Sequence, residues 1–305
     1  MDFHDYAEFV PATYAANMTA PTSTWWQWRG RRVHIARAIV PDAAVRVMVI
    51  HGGGGYSGAL WPVAAVAAGE GVDVLAPDLP LYGDTEAADP SAVRYDDWVD
   101  LLRDLVRLER ASDPRPLVLF GASMGGLLAY EVAARTGLVA AVVATCLLDM
   151  SDPEARAGAT RFAWMGRPAP ALLRTIEPVL GGIRLPIRWL ADMANMSSDP
   201  RLSRLCASDP RGGGVRVPLG FLSSWMNFRH TAPEDFDAAP VTLVAPAADK
   251  WTRPELSIRF LQRISAPTTL IMLDNCGHFP IEEPGLTRLR EAMRATVTEV
   301  AAQAD

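Results

Sequence analysis

One pentapeptide constrains the fold of this chain more than any other stretch. Gly121-Ala122-Ser123-Met124-Gly125 has the form G-x-S-x-G. The apolar run 116–120 before it is typical of a buried parallel strand, and residues 126–135 after it favour a helix that ends before Gly137. A serine on such a tight strand-to-helix turn exposes its hydroxyl above the sheet. The pattern therefore predicts that Ser123 is a nucleophile.

Apolar runs of strand length alternate with helical patterns along most of the chain. Strands are predicted at 45–50, 72–76, 139–148, 241–245 and 268–273, and helices at 95–110, 254–264 and 284–302. Two earlier strands, joined by a turn at Arg29-Gly30-Arg31, are predicted within residues 25–40. This alternation predicts parallel β-α-β units with helices on both faces of one sheet.

The alternation stops between residues 151 and 237, where prolines interrupt helical patches at 169–180 and 187–196. We predict an α/β core of residues 1–150 and 238–305, with residues 151–237 inserted as a helical cap near the carboxyl edge of the sheet, where ligands bind. Large apolar side chains of the cap are candidates for contacting a mainly apolar substrate, although their spacing also suits an ordinary core. They are Trp164, Trp189, Met193, Trp225, Met226 and Phe228.

Composition argues against several classes of function. The formal net charge of −6 gives no reason to expect a nucleic acid partner. No apolar run approaches the roughly 20 residues that span a bilayer, and the first five residues do not resemble a signal peptide. Cys146, Cys206 and Cys276 are odd in number and lack metal-ligand spacing, so we expect a reduced, cytoplasmic protein without a metal or other cofactor. A homodimer is one assembly compatible with this sequence.

A nucleophilic serine needs a base, an acid that orients the base, and donors for the developing oxyanion. His278, beyond the strand 268–273, is the predicted base, and Asp249, beyond the strand 241–245, is the predicted acid. The order Ser, Asp, His along the chain is the one expected for a G-x-S-x-G turn in such a sheet. Asp149 and Asp274 are alternatives for the acid. Capping of neighbouring backbone groups is the alternative role for His278 and Asp249.

The glycine run His51-Gly52-Gly53-Gly54-Gly55 is predicted to turn an amide toward the serine. The predicted oxyanion donors are the N–H groups of Gly53 and Met124. The run lacks the residues that follow a phosphate-binding loop, so phosphate binding is not predicted. His51 is interpreted as a brace of this loop, and His230, at the end of the cap, as a residue that could approach the substrate. The two remaining histidines, His4 and His34, are expected to be solvated or hydrogen-bonded.

Together these motifs resemble the α/β-hydrolase superfamily over residues 26–301. The resemblance rests on His51-Gly52-Gly53-Gly54, on Pro77-Asp78-Leu79 with Gly83, on Gly121-Ala122-Ser123-Met124-Gly125-Gly126, on Asp249 and on Gly277-His278-Phe279. The Ser-Met-Gly-Gly turn and Tyr56-Ser57-Gly58 look most like the monoacylglycerol lipase and lysophospholipase branch.

The resemblance implies an α/β-hydrolase fold, a mostly parallel twisted sheet flanked by helices with an inserted cap. It also implies a serine hydrolase in which Ser123 is the nucleophile, His278 the base and Asp249 the acid, with the amides of Gly53 and Met124 as the oxyanion hole. One departure concerns the acid, because Pro246-Ala247-Ala248 replaces the family's glycine-containing turn before it.

Hydrolysis of a carboxylic ester through an acyl-enzyme is the predicted reaction, with a small, mainly apolar acyl compound as substrate. A serine in the turn argues against dehalogenases and epoxide hydrolases, which have an aspartate there. Carbon–carbon bond hydrolysis of a vinylogous diketone and release of N-terminal residues by an aminopeptidase are alternatives, because one fold hosts many reactions. A ligand receptor without activity is a further alternative, against which the complete Ser, Asp and His set argues.

Overall fold

A central sheet of eight strands organises the computed structural model, which describes residues 3–15, 18–68 and 71–304. Its strands are β1 (Thr22–Trp28), β2 (Arg31–Ala38), β3 (Arg46–Ile50), β4 (Asp73–Pro77), β5 (Leu117–Gly121), β6 (Ala141–Ala144), β9 (Val241–Pro246) and β10 (Thr268–Leu273). The order across the sheet is β1-β2-β4-β3-β5-β6-β9-β10. β2 is antiparallel to β1 and β4, and all other neighbours are parallel. The predicted mostly parallel sheet is confirmed.

Full burial of the central strands explains why they read as unbroken apolar runs. Every residue of β3, β4, β5 and β6 is buried, as expected for parallel strands that are covered on both faces. Helices provide this cover. They are α1 (Phe3–Ala7), α2 (Ala12–Ala15), α3 (Ser57–Ala68), α4 (Tyr95–Ser112), α5 (Met124–Thr136), α11 (Pro254–Leu261) and α12 (Gly285–Ala304). α3 contacts α12, and α4 contacts α5, so the sheet is flanked by helices as predicted.

The segment between β6 and β9 contains short helices and a two-stranded antiparallel sheet. Its elements are α6 (Pro153–Ala159), α7 (Ala163–Gly166), α8 (Ala169–Leu180), β7 (Arg184–Pro186), α9 (Pro200–Ser208), β8 (Arg216–Pro218) and α10 (Leu219–Asn227). The helix predicted at 169–180 is α8. None of these elements belongs to the main sheet. Residues of the segment line one cavity together with Gly53, Ser123 and Met124.

Two predicted elements differ from the structure. The helix predicted at 187–196 is wrong, because only the 3₁₀ turns Ile187–Trp189 and Met193–Asn195 form there. Backbone groups of residues 187–196 make long-range hydrogen bonds instead. The Ile187 N–H donates to Val215 O at 3.0 Å, and Leu190 O accepts from the Arg161 N–H at 2.7 Å. The strand predicted at 139–148 is shorter, since β6 covers only Ala141–Ala144.

Within the described ranges, no helix combines the length and apolar character that crossing a membrane requires. All three cysteines are free and buried.

Candidate active site

Ser123 lies in a sharp turn between β5 and α5. Its backbone has φ 55° and ψ −126°, a conformation that residues other than glycine rarely adopt. Two hydrogen bonds hold the turn: the Ser123 N–H donates to Thr145 Oγ1 at 2.9 Å, and the Gly125 N–H donates to Ala122 O at 2.8 Å. Strained backbone of this kind concentrates at functional sites, where the surrounding structure enforces it.

Close backbone contacts explain the glycines that follow Ser123. A Cβ atom added at Gly125 would overlap the carbonyl oxygen of Ile50, and one added at Gly126 would overlap the carbonyl oxygen of Cys146. Backbone atoms of the sheet cannot move aside without shifting the strands, so only glycine fits at either position. The first turn of α5 therefore packs directly on the sheet and fixes the position of the serine.

His278 connects Ser123 with Asp249. Its Nε2 lies 2.8 Å from Ser123 Oγ, and its Nδ1 lies 2.7 Å from Asp249 Oδ2. Both distances are those of ordinary hydrogen bonds, and the imidazole is almost fully buried. The structure thus brings these three predicted site residues together from the ends of β5, β9 and β10.

The carboxylate of Asp249 is fully hydrogen-bonded. Oδ1 accepts from the N–H groups of Trp251 (2.8 Å) and Thr252 (2.9 Å), and Oδ2 accepts from the Thr252 hydroxyl (2.8 Å) as well as from His278. Burial alone would raise the pKa of Asp249, but the electrostatic interaction with His278 and these hydrogen bonds outweigh burial and hold the pKa below its ordinary value. The group is therefore ionised at neutral pH and accepts the Nδ1 proton of His278, which leaves Nε2 free to accept from Ser123.

Gly53 and Met124 line the same cavity as Ser123. A Cβ atom added at the preceding residue, Gly52, would lie 2.9 Å from the backbone nitrogen of Met124 and 3.0 Å from Ser123 Cβ. Across residues 3–15, 18–68 and 71–304, neither amide donates a hydrogen bond. Unpaired backbone donors in residues that line a cavity together with a serine suit a developing oxyanion.

His51 fixes the glycine loop. Its Nδ1 donates to Gly52 O at 2.8 Å, and its Nε2 accepts from the Leu79 N–H at 2.9 Å. One ring nitrogen donates and the other accepts, so the imidazole is neutral, and burial lowers the pKa of His51 accordingly. These contacts match the bracing role expected from the sequence.

A cavity of about 500 Å³ opens above Ser123. Four of the large apolar residues singled out in the sequence line it: Trp164, Trp189, Trp225 and Met226. The other two lie elsewhere. Met193 packs against Gly54, and the ring of Phe228 lies 5.0 Å from that of Tyr95.

The lining of this cavity is almost wholly apolar. Among the described residues, Arg161 is the only charged residue on it, and no carboxylate side chain contributes. Arg161 is exposed, and its guanidinium lies over the ring of Phe162. A concave apolar site with a few convergent polar groups is typical of a binding site for a small apolar molecule.

Other candidates from the sequence lie away from this constellation. Asp149 accepts hydrogen bonds from the backbone and side chain of Ser151, and Asp274 is exposed. His230 does not line the cavity, contrary to the suggestion that it could approach a substrate. Its Nε2 lies 3.1 Å from the Tyr95 hydroxyl, and burial lowers the pKa of His230 to about 4.

One group in the described part of the chain has ligand atoms close enough to hold a metal: His34, Asp78 and Asp84, within 4.8 Å of one another. The potential ligand atoms of His34 and Asp78 are already hydrogen-bonded. His34 Nδ1 lies 2.8 Å from Asp78 Oδ2 and His34 Nε2 lies 2.9 Å from Ser23 Oγ, while Asp78 also accepts from the amides of Ser57 and Asp84. We interpret the group as a clamp on the loop 78–84.

Sequence reasoning missed three residues of the site. The Thr252 hydroxyl lies 3.1 Å from His278 Nδ1 in addition to its bond with Asp249, and the Trp251 ring lies 4.5 Å from the His278 ring. Tyr82 lines the cavity. The available signals were the position of Thr252 three residues after an aspartate, which is typical of a capping turn, and the position of Tyr82 in a motif that carried the family resemblance.

Comparison with known proteins identifies a family. The family model described as "Alpha/beta hydrolase family" matches residues 47–288. Among curated proteins, human protein phosphatase methylesterase 1 is 26% identical over 133 residues, which are 43% of this chain and 34% of that protein. The chain thus matches about a third of the length of that relative.

Two solved structures are similar over most of the chain. The monoacylglycerol lipase of Paleococcus ferrophilus has 24% identity and a TM-score of 0.69, with 88% of this chain and 98% of that chain covered. A soluble variant of monoglyceride lipase from Saccharomyces cerevisiae, in complex with a substrate analog, has 16% identity and a TM-score of 0.77, with 92% and 96% covered. At these identities the likeness shows the shared fold.

Proposed function

The chain belongs to the alpha/beta hydrolase family, and on that premise we propose that it is a serine hydrolase that cleaves carboxylic esters. The observation that carries the proposal is the hydrogen-bonded chain from Ser123 Oγ to His278 Nε2 (2.8 Å) and from His278 Nδ1 to Asp249 Oδ2 (2.7 Å). Nucleophile, base and orienting acid in this order are the machinery of acyl transfer. The names of the relatives, a methylesterase and two lipases of monoacylglycerols, support the same reaction class.

Acylation begins when Ser123 Oγ attacks the ester carbonyl and His278 Nε2 takes the hydroxyl proton. The carbonyl oxygen becomes an oxyanion and accepts hydrogen bonds from the amides of Gly53 and Met124. When the tetrahedral intermediate collapses, the bond to the alcohol oxygen breaks and the imidazolium protonates that oxygen. The alcohol leaves, and the acyl group stays on Ser123.

Deacylation repeats these steps with water. His278 Nε2 takes a proton from a water molecule, whose oxygen attacks the acyl carbon, and a second tetrahedral intermediate forms in the same oxyanion site. Its collapse breaks the bond to Ser123 Oγ, which regains the proton. Asp249 stabilises the positive charge on His278 in both halves of the reaction and keeps the proton on Nδ1.

The apolar cavity supports a substrate with an apolar acyl group. Residues 151–237, the proposed cap, supply most of the wall opposite Ser123, with Trp164, Trp189, Trp225 and Met226 among them. Met adapts its shape to different ligands at low cost. An aminopeptidase would need an anionic group near the serine to hold the substrate's charged amine, and no carboxylate lines the described cavity.

A panel of p-nitrophenyl esters from acetyl to palmitoyl, tested beside a vinylogous diketone and an aminoacyl p-nitroanilide, tests the proposal. We expect the esters to be the best substrates. Ser123→Ala should lower kcat by several orders of magnitude, on the order of 10⁶-fold in comparable triads, with an unchanged melting temperature. A fluorophosphonate should label the wild type and not this variant.

Ser208→Ala is the matched control, because Ser208 is an exposed serine whose hydroxyl, within the ranges that the structure describes, bonds only the backbone of Leu205. It should keep full activity and full labelling. Ester hydrolysis at the wild-type rate by pure Ser123→Ala protein would refute the proposal. A diketone cleaved much faster than every ester would move the reaction to carbon–carbon bond hydrolysis.

A further inference from the structure

Tyr82 is a buried polar residue that the steps above do not use. It is 1% exposed and lines the cavity together with Gly53, Ser123 and Met124. Its hydroxyl donates no hydrogen bond in the part of the chain that the structure describes. An unpaired buried hydroxyl destabilises a fold, whereas phenylalanine would fill the same space without that penalty. The hydroxyl therefore serves something other than packing.

The position of the hydroxyl points to the oxyanion site. A Cβ atom added at Gly53 would lie 3.9 Å from the Tyr82 hydroxyl oxygen and 3.4 Å from Met124 Cε, so these groups surround one corner of the cavity. Burial raises the pKa of Tyr82 well above its ordinary value, and the nearby amide of Gly54 offsets only part of this effect. The hydroxyl thus keeps its proton at neutral pH and can donate it.

The surrounding loop holds the phenol ring in one orientation. The rings of His51 and Trp98 each pack edge-to-face against it at 5.7 Å, and Trp98 Nε1 donates to Pro80 O at 2.9 Å. The preceding residue, Leu81, has a φ of 90°, a conformation that leucine adopts only where its surroundings enforce it. A donor fixed in this way needs no reorganisation when charge develops beside it.

We propose that Tyr82 is a catalytic residue whose hydroxyl donates a third hydrogen bond to the oxyanion, beside the amides of Gly53 and Met124. The proposal rests on the function proposed above, because an oxyanion forms only when Ser123 attacks a carbonyl. A hydrogen bond that is stronger to the charged oxygen than to the ester carbonyl lowers the barrier without tightening substrate binding. Its loss should appear in kcat and not in KM.

Tyr82→Phe removes only the hydroxyl and tests the proposal. With the best ester of the panel, we expect kcat to fall by about 10²–10³-fold, the effect of losing one oxyanion donor, with KM little changed. Affinity for an alkyl boronic acid, whose adduct with Ser123 resembles the tetrahedral intermediate, should fall as well. The melting temperature should stay the same or rise, because the hydroxyl donates no bond within the fold and its burial penalty disappears.

Tyr130→Phe is the matched control. Tyr130 is also fully buried, but its hydroxyl donates to Thr231 O at 3.1 Å, and it does not line the cavity. This variant should melt at a lower temperature and keep the wild-type kcat. Wild-type kcat in Tyr82→Phe, or an effect confined to KM, would overturn the role of Tyr82.

End-point labelling with the fluorophosphonate separates the two proposals. The Tyr82→Phe protein should still be labelled at Ser123, which shows that the nucleophile is intact and that the fold is correct. An unlabelled wild type without esterase activity would instead refute the proposed function itself.

Discussion

Replacing the Asp249 carboxylate with an amide should reverse the direction of one hydrogen bond and thereby stop proton transfer. Oδ1 of Asp249 accepts two backbone N–H groups, so the carbonyl oxygen of Asn in Asp249→Asn would take that place. The NH₂ group would then face His278 Nδ1 as a donor. The imidazole would have to accept at Nδ1 and carry its proton on Nε2, where it could no longer accept the proton of Ser123.

The expected loss follows from this tautomer. The same exchange in a serine protease triad lowers kcat by about 10⁴-fold, which corresponds to roughly 5 kcal/mol of lost transition-state stabilisation. Two features of this site favour an effect of the same order. The imidazole is almost fully buried, so water cannot replace the carboxylate, and the Thr252 hydroxyl, which now donates to Oδ2, would face a second donor.

The measurement is kcat and kcat/KM of Asp249→Asn at neutral pH on the best ester, with Asp149→Asn as the matched control. Among the described residues, the side chain of Asp149 has hydrogen bonds with Ser151 alone, so the control should retain nearly full activity. The opposite pattern would refute the reasoning and place the orienting acid at Asp149.

Stability gives an independent check on Asp249. Because the folded state lowers the pKa of this carboxyl, its charged form stabilises the fold at pH values above the unfolded pKa of about 3.9, and this contribution disappears as the pH falls through the lower folded value. The difference in melting temperature between the wild type and Asp249→Asn should therefore be constant from pH 6 to 8 and shrink only in strong acid, about pH 4 and below. A difference that already shrinks between pH 8 and 6 would contradict a carboxyl whose folded pKa lies below its ordinary value.

Three further predictions concern the fold, the pH dependence of stability and the cavity. Gly126→Ala should abolish soluble expression or lower the free energy of unfolding by about 3 kcal/mol or more, because the new Cβ would overlap the Cys146 carbonyl. Gly182→Ala is the control: its Cβ would make only ordinary contacts, so a thermal melt should show almost no change. The folded pKa of His230 is about 4, against about 6.5 in the unfolded chain, so the unfolded state binds more protons between these pH values. The free energy of unfolding should therefore fall by up to about 3 kcal/mol as the pH drops from 6.5 to 4. His230→Gln should remove most of this pH dependence in thermal melts across that range. Trp225→Ala should raise kcat/KM for long acyl esters relative to short ones by enlarging the cavity, and an unchanged ratio would make Trp225 a purely structural residue.

Sequence patterns predicted the elements whose residues are determined by neighbouring contacts and burial. The turn around Ser123 was predictable because its glycines are required by contacts within one strand-turn-helix unit and its nearest strands. The central strands were predictable because burial on both faces demands apolar residues at every position. Asp249 could be preferred over Asp149 because chain order fixes which strand ends lie near which loop.

Long-range contacts explain what the sequence did not reveal. Residues 187–196 have the periodicity of a helix, but the hydrogen bonds of Ile187 with Val215 and of Leu190 with Arg161 join segments that lie more than 25 residues apart. Intrinsic helix propensity is weak enough for such contacts to override it. Tyr82 could not be predicted for a related reason: the sequence places it in a loop, and only the structure shows that its hydroxyl is buried and donates no hydrogen bond.

Residues other than glycine with a positive φ concentrate near the proposed site. Four residues other than glycine have a positive φ within the described ranges, namely Arg29, Leu81, Ser123 and Asn275. Three of them lie within three residues of a group assigned to the reaction here: Leu81 before Tyr82, Ser123 itself, and Asn275 three residues before His278. The side chain of Asn275 is also fixed, because its Nδ2 donates to Glu283 O at 2.9 Å. Such conformations are unfavourable for the isolated segments and persist only where the fold enforces them. The G-x-S-x-G pattern revealed the one at Ser123, whereas no local pattern marks the ones at Leu81 and Asn275.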